Sequence, residues 1–359
     1  MLECQKNNNK SIINLLTEIA PELKEMITER YEILRLVDIF GPIGRRALSE
    51  KIDLSERIIR KESDLLKEKK LLETSFKGMS ITEYGKKLID QLNKFVYEMK
   101  NFERLENDLE KYLGIKKVIV APTNSDDKNA ILSSLGKTAS NYLLSILKDN
   151  SIVGVTGGTT IESVINEFDC NKKFNEIKVV PARGSLGNKI EYQANTLAEM
   201  LANKLNGRYR LLFTPDKMSK DTIERLKNEP EIEKTLSLVN KVDTVLFGVG
   251  KSDTMIQRRG ISKKETQKIK QKNPVAEAFG YYFDSNGEIV YEINTIGIGL
   301  YKLKHAKNLI AVAGGLEKLD AILAICKLDS NIVLVTDEIV AKKIKRKFKE
   351  EKENGKSSN

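Results

Sequence analysis

Apolar positions in the first eighty residues recur three and four apart. "LKEMITERYEILRLVDIF" carries such a stripe and ends at Gly41-Pro42, which predicts a helix with a firm stop. A short helix over "RRALSEKI" follows. "DLSERIIRKESDLLKEKKLLE" then predicts a third helix with Ser55 as its N-cap and Ile58/Leu65 and Ile59/Leu66 as its buried rows. Two strand-like pieces, "LLETS" and "MSIT", flank a turn at Lys77-Gly78. This order predicts a winged helix-turn-helix over residues 1–85. From Lys86 to Leu113 the apolar steps of four and three predict one long linker helix, with Glu106 in a seam position. That spacing suits a short coiled coil, or equally a stripe packed on its own chain.

After Ile115 the pattern changes. "KKVIVAP", "SIVGVT", "EIKVVPA", "RYRLLF", "VDTVLFGVG", "NLIAVAG" and "NIVLVTD" are short β-branched runs separated by helical stretches. Continuous apolar runs are what strands covered on both faces look like. The alternation predicts an α/β class domain over residues 114–348, a doubly wound and mostly parallel sheet, followed by a basic polar tail at 349–359.

Composition adds limits. At 359 residues and 40% hydrophobic content, the chain can fill two domains. No window approaches the twenty apolar residues that a membrane span needs, and the start lacks a signal-peptide core, so a cytoplasmic protein without membrane partners is expected. Cys4, Cys170 and Cys326 are isolated and form no metal pair or disulfide framework. The net charge of +10 suggests nucleic acid, yet half of it lies between Lys342 and Lys356, where eight Lys/Arg face three Glu. Local patterning therefore has to carry the DNA-binding case.

In the third helix, Arg57, Arg60 and Lys61 fall off the apolar rows, where a recognition helix presents its first turns to the major groove. Lys77 at the hairpin tip is placed to touch phosphate. The competing reading is an ordinary charged helix face.

Nucleotide chemistry is poorly supported. "SLGKT" and "GVGKS" end like P-loops, but Ile131 and Val245 stand where the first glycine belongs. GxGxxG and GxSxG are absent, and the single histidine, His305, has no metal-binding or catalytic motif around it. Glu277 or Asp253 could serve as acid or base in an isomerase, accept hydrogen bonds from sugar hydroxyls, or simply be solvated.

A better candidate is "VTGGTTIESV". Gly157, Gly158, Thr159 and Thr160 follow a strand and open a helix, at the sheet edge where α/β folds collect ligands. Glycines admit a close backbone approach, and a helix N-terminus offers unpaired N–H groups to an anion. The alternative is a plain tight turn with an N-cap threonine. "PARGSLG" sets Arg183 beside glycines, "MIQRRG" supplies Arg258 and Arg259, and "AVAGGLEKLDA" places Lys318 one turn into a helix. Several basic residues in loops at one edge point to an anion with more than one phosphate.

The run of motifs from "VTGGTTIESV" through "VVPARGSLGNKIEYQANTLAEMLA", "TMIQRRG", "AEAFGYYFDSNGEIV" and "IAVAGGLEKLDAI" to "LVTDE" resembles the effector domain of the SorC family of bacterial transcriptional regulators. The likeness covers nearly all of residues 150–340. "LSERIIRKESDLLKEKKLLE" and "SITEYGKKL" match more loosely. The resemblance implies a fold like that of phosphosugar isomerases and deaminases, used for sensing. It implies no enzyme and no cofactor, but a repressor of glycolytic genes on a double-stranded DNA operator. Its effector would be fructose-1,6-bisphosphate or a related sugar phosphate, and it would act as a dimer or tetramer. The Gly157–Thr160 turn would cradle one phosphate; Arg183, Gln193, Arg258 and Lys318 would help hold the bisphosphate, and Glu277 would accept from sugar hydroxyls. The arginine doublet leaves that assignment open by one residue. The alternative from another class is a phosphosugar isomerase or deaminase with an added DNA-binding module.

Overall fold

The computed structural model describes residues 15–356 except 17, 53, 124, 171, 187 and 188. The predicted tail beyond 356, and the chain start that includes Cys4, lie outside the described residues. The chain divides into two compact units, residues up to Glu106 with Pro122–Ile131, and Asn107–Ala121 with Leu132 onward.

The first unit contains the helices Pro21–Phe40, Arg45–Ser49, Glu56–Glu68 and Glu83–Met99 and the antiparallel hairpin β1 (Leu72–Ser75) and β2 (Gly78–Ile81). Ile43 bridges Met79 and ties the first turn to the hairpin. Tyr31, Leu34, Leu48, Ile59, Leu66, Met79, Ile89 and Val96 share one core, with Leu88 and Leu92 packed on it. The stripe of the 83–99 helix is thus spent within its own unit.

The single helix expected from Lys86 to Leu113 is broken. It ends at Met99, and a new helix runs Phe102–Leu113. Asn101 takes the left-handed conformation at φ 53°, which asparagine tolerates better than most residues. Across the break Tyr97 stacks edge-on against Phe102, and its hydroxyl donates to Glu106. The seam glutamate is buried because it has that partner.

The second unit is built on a seven-stranded parallel sheet. Its strands are β3 (Lys117–Ala121), β4 (Ile152–Val155), β5 (Lys178–Pro181), β6 (Arg208–Tyr209), β7 (Thr244–Gly248), β12 (Asn308–Val312) and β13 (Ile332–Asp337). They lie in the order β3-β13-β12-β7-β4-β5-β6. Each corresponds to one of the predicted apolar runs. The run expected over "RYRLLF" supplies only a two-residue edge strand. β13 is buried along its whole length, as a strand covered on both faces must be. From β4 the chain builds toward β5 and β6. It then returns to lay β7 on the other side of β4 and continues to β12 and β13. The order therefore reverses between β4 and β7, and such a reversal opens a crevice at the carboxyl ends of the two strands.

A second sheet, absent from the sequence expectation, is antiparallel: β8 (Gly250–Lys251), β9 (Ala276–Ala278), β10 (Tyr281–Phe283) and β11 (Ile289–Glu292), in the order β11-β10-β9-β8. Phe279 and Gly280 turn β9 into β10, both at positive φ, the pattern of a two-residue hairpin turn.

Candidate functional site

In the first unit, the side chain of Ser55 accepts from the N–H of Ile58 and caps the 56–68 helix as expected. Ile59, Glu62, Ser63 and Leu66 form the buried face. Ile58, expected in a buried row, is 36% exposed, because the core meets the row of its neighbour Ile59. Arg57, Arg60 and Lys61 are exposed, and Arg60 makes a long contact of 4.0 Å to Glu56. Lys77 is exposed at the hairpin tip beside Phe76, which is 95% exposed. The face opposite the core is therefore basic and open. Arg30 meets the buried Glu62 at 2.7 Å and holds the helix from its inner side.

In the second unit, the Gly157–Thr160 turn follows β4 at the reversal point of the sheet. Gly158, not a threonine, is the N-cap of the helix Thr159–Asn166, and no side chain caps it. Its φ of 120° suits glycine. The Gly158 N–H donates to Tyr192 O at 2.8 Å, and the Gly158 carbonyl accepts from Glu162. First-turn N–H groups of a helix have no acceptor inside it, so those of Thr159, Thr160 and Ile161 depend on an acceptor from outside the helix, at the positive end of its dipole. A Cβ on Gly157 would lie 2.5 Å from Tyr192 O, which fixes this turn against the segment that carries Gln193. Gln193 itself precedes the helix Ala194–Lys204 and lines an open groove with Ser185, Asn195, Phe213 and Thr214.

Arg183 sits just past the end of β5, 7% exposed. It is ion-paired with Asp216, and its Nη1 lies 3.3 Å from Glu277 Oε1. Arg259 closes the group, with Nε 3.0 Å from Asp216 Oδ2 and Nη2 2.8 Å from Glu277 Oε1. Two guanidiniums thus face two carboxylates, and the four formal charges cancel. Burial pushes the Glu277 carboxyl up, but Arg259, Arg183 and the Gly280 N–H outweigh it and hold it below the usual glutamate range. Burial draws Arg183 down. Burial also works against Arg259, but Glu277 and Asp216 more than offset it and raise its pKa. A carboxylate tied to two arginines and a backbone N–H at 2.7 Å is poorly suited to shuttle protons.

Of the arginine doublet, Arg259 is the one that joins this buried cluster. Ile256 is buried, and Arg259, three residues on, shares its face; Arg258 is exposed on another side of the helix Ser252–Arg258. Asp253, the other candidate acid, is exposed and 3.2 Å from Lys270. Lys318 ends a short 3₁₀ turn, Leu316–Lys318, after β12. The buried carboxylate of Asp337, at the end of β13, accepts from Gly315 at 2.7 Å and from Ile339 and Val340 at 3.0 Å each, which pins that loop. β12 and β4 are separated by β7 alone, so the strands that lead into the Lys318 loop and the Gly158 turn are two strand spacings, about 10 Å, apart. Asp216, Gly280 and Asp337 escaped the sequence reading. Among the described residues no group of His, Cys, Asp or Glu could hold a metal ion, and no helix is long and apolar enough to cross a membrane.

Residues 97–345 match a family described as a sugar-binding domain, and residues 26–96 match the CggR N-terminal DNA binding domain. The chain is 36% identical over 335 residues to the central glycolytic genes regulator of Bacillus subtilis (strain 168), covering 93% of this chain and 98% of that protein. It is 35% identical to the protein of the same name from Priestia megaterium, covering 94% and 99%. Among solved structures, a SorC family transcriptional regulator from Enterococcus faecalis is 36% identical with a TM-score of 0.63, covering 67% of this chain and 99% of that one. The full-length sorbitol operon regulator SorC from Klebsiella pneumoniae shares the fold at 19% identity and a TM-score of 0.63, covering 84% and 93%.

Proposed function

The chain belongs to the SorC family of transcriptional regulators, and on that footing we propose that it represses glycolytic genes under the control of fructose-1,6-bisphosphate. One observation carries the effector half of this reading. The 159–166 helix begins at the sheet's reversal point with a glycine cap, which has no side chain to accept from its first N–H groups. An oxyanion of the ligand would supply the acceptors that the cap does not.

In this reading the Gly157–Thr160 turn and the Thr159 and Thr160 hydroxyls hold one phosphate. Lys318, two strands away, meets the other. Glu277 accepts from the sugar hydroxyls, and Gln193, Arg183 and one or both of Arg258 and Arg259 help hold the phosphoryl groups. A bisphosphate brings roughly three to four negative charges, which suits this supply of cations and dipoles. The basic face of Arg57, Arg60 and Lys61, with Lys77 at the hairpin tip, would take double-stranded operator DNA. A dimer or tetramer would read repeated half-sites.

Control requires the effector to bind the DNA-competent and incompetent states with different affinity, because equal binding shifts nothing. A coupling of about 1–3 kcal/mol is ordinary for such proteins. The test is a mobility-shift titration on operator DNA with and without fructose-1,6-bisphosphate. A shift in DNA affinity or assembly state is expected; an unchanged isotherm at saturating ligand contradicts the reading.

A further inference from the structure

In the buried cluster of Arg183, Arg259, Asp216 and Glu277, two carboxylates already neutralise the two guanidiniums that a phosphorylated ligand would seek. The two carboxylates are held very differently. Glu277 lies inside β9 and is fastened by the Gly280 N–H as well as by both arginines. Asp216 lies on an irregular segment, joined to the Arg183 loop by two backbone bonds: Ser185 N–H to Thr214 O and Asp216 N–H to Ser185 O, each 2.9 Å. The same segment borders the open groove that contains Gln193, and its neighbour Phe213 is 80% exposed. Among the described residues, Arg183 Nε and Arg259 Nη1 are buried donors without a hydrogen-bond acceptor, so the pair has capacity for a larger, better-furnished anion than one carboxylate.

We propose that Asp216 is a built-in competitor of the effector: its carboxylate and a phosphoryl group of the ligand are alternative partners of the Arg183–Arg259 pair. This rests on the sugar-phosphate reading of the site. A phosphoryl group offers three oxygens and up to two charges, so it can replace Asp216 and also reach the unfilled donors. An uncharged sugar can do neither, and opening the ion pair for it would strand buried charge. Asp216 therefore sets a threshold that only phosphorylated ligands pass. Its release frees the Thr214–Asp216 segment from Ser185, which turns occupancy into a change at the groove wall.

The test is calorimetric titration of the full chain with fructose-1,6-bisphosphate, wild type against Asp216→Asn, at one ionic strength. The amide keeps the shape and removes the competing charge, so the variant should bind roughly tenfold tighter, within the usual range of such couplings. Equal or weaker binding by a folded variant, with wild type binding normally, overturns the competitor role and leaves the effector site standing. Failure of wild type to bind any sugar phosphate overturns both. Should the variant not fold, hydrogen exchange on wild type decides. The Ser185 and Asp216 amides should lose protection when fructose-1,6-bisphosphate binds, and unchanged or increased protection rejects the exchange.

Discussion

Arg183 and Glu277 are 94 residues apart in sequence, yet their side chains meet in the interior at 3.3 Å, and Arg259 contacts the same carboxylate oxygen at 2.8 Å. Arg183 and Arg259 are therefore not free charges waiting for an anion. Part of the site is a neutral ionic cluster, and this shapes how the protein should respond to mutation and pH.

Replacing Glu277 by glutamine leaves two buried guanidiniums opposite Asp216 alone. Breaking a buried ionic group in this way costs about 3 kcal/mol. Denaturant unfolding at neutral pH should show a loss of that order. The pH dependence follows from the direction of the Glu277 shift. Its folded pKa lies below the unfolded value, so the unfolded state binds more protons between the two. Its contribution to stability is complete above the ordinary glutamate range and fades as pH falls through the lower folded pKa. Glu277→Gln should remove that fraction of the acid dependence.

Gly280 is constrained twice. Its φ is +88°, and a Cβ there would lie 2.9 Å from Arg183 Nη2. Gly280→Ala should cost about 1–3 kcal/mol through backbone strain and displace the guanidinium. Thermal unfolding together with a weakened sugar-phosphate response checks this. An unchanged melting point and ligand affinity would show that the turn does not position Arg183.

Thr160 is buried in the first turn of the 159–166 helix. Thr160→Val keeps the shape and removes the hydroxyl. If that hydroxyl binds phosphate, affinity should fall by about 1.5–3 kcal/mol, the range for hydrogen bonds to charged groups. DNA binding without effector should be retained. Calorimetry and mobility shift on the same preparation separate the two effects.

Arg57, Arg60 and Lys61 are exposed on the helix capped by Ser55. Their triple alanine variant should lose operator affinity. If all three neutralise phosphates, the slope of log affinity against log salt should shrink by roughly two to three. Wild-type affinity and slope in the variant would reject this helix as the DNA-reading element.

Much of the architecture was legible because buried parallel strands have a plain signature. Seven continuous apolar runs became seven strands, and the Gly-Gly-Thr-Thr turn fell at the carboxyl end of one of them. The failures were local competitions. Nothing in periodicity warns that Asn101 will leave the helix, because the break depends on Tyr97 and Phe102 packing across it. Ile58 and Ile59 compete for one core-facing position, and only tertiary packing decides between them. Helical phase could have separated Arg259 from Arg258, since Arg259 shares the face of the apolar Ile256. The small sheet was hidden by its short strands, though "FDSNGEIV" contains the Asn-Gly pair of a hairpin. Asp216, 33 residues from Arg183, has no local signal, because ion pairing through space leaves no period in the chain.

The central claim is that backbone amides and cations at the sheet rim hold a sugar bisphosphate without transforming it. Calorimetric titration of the full chain with fructose-1,6-bisphosphate, followed by chemical analysis of the recovered sugar, tests this most directly. The account predicts saturable binding of one ligand per chain, weakened in Thr160→Val, with the ligand recovered intact. Absence of binding, or recovery of a converted sugar, would contradict it.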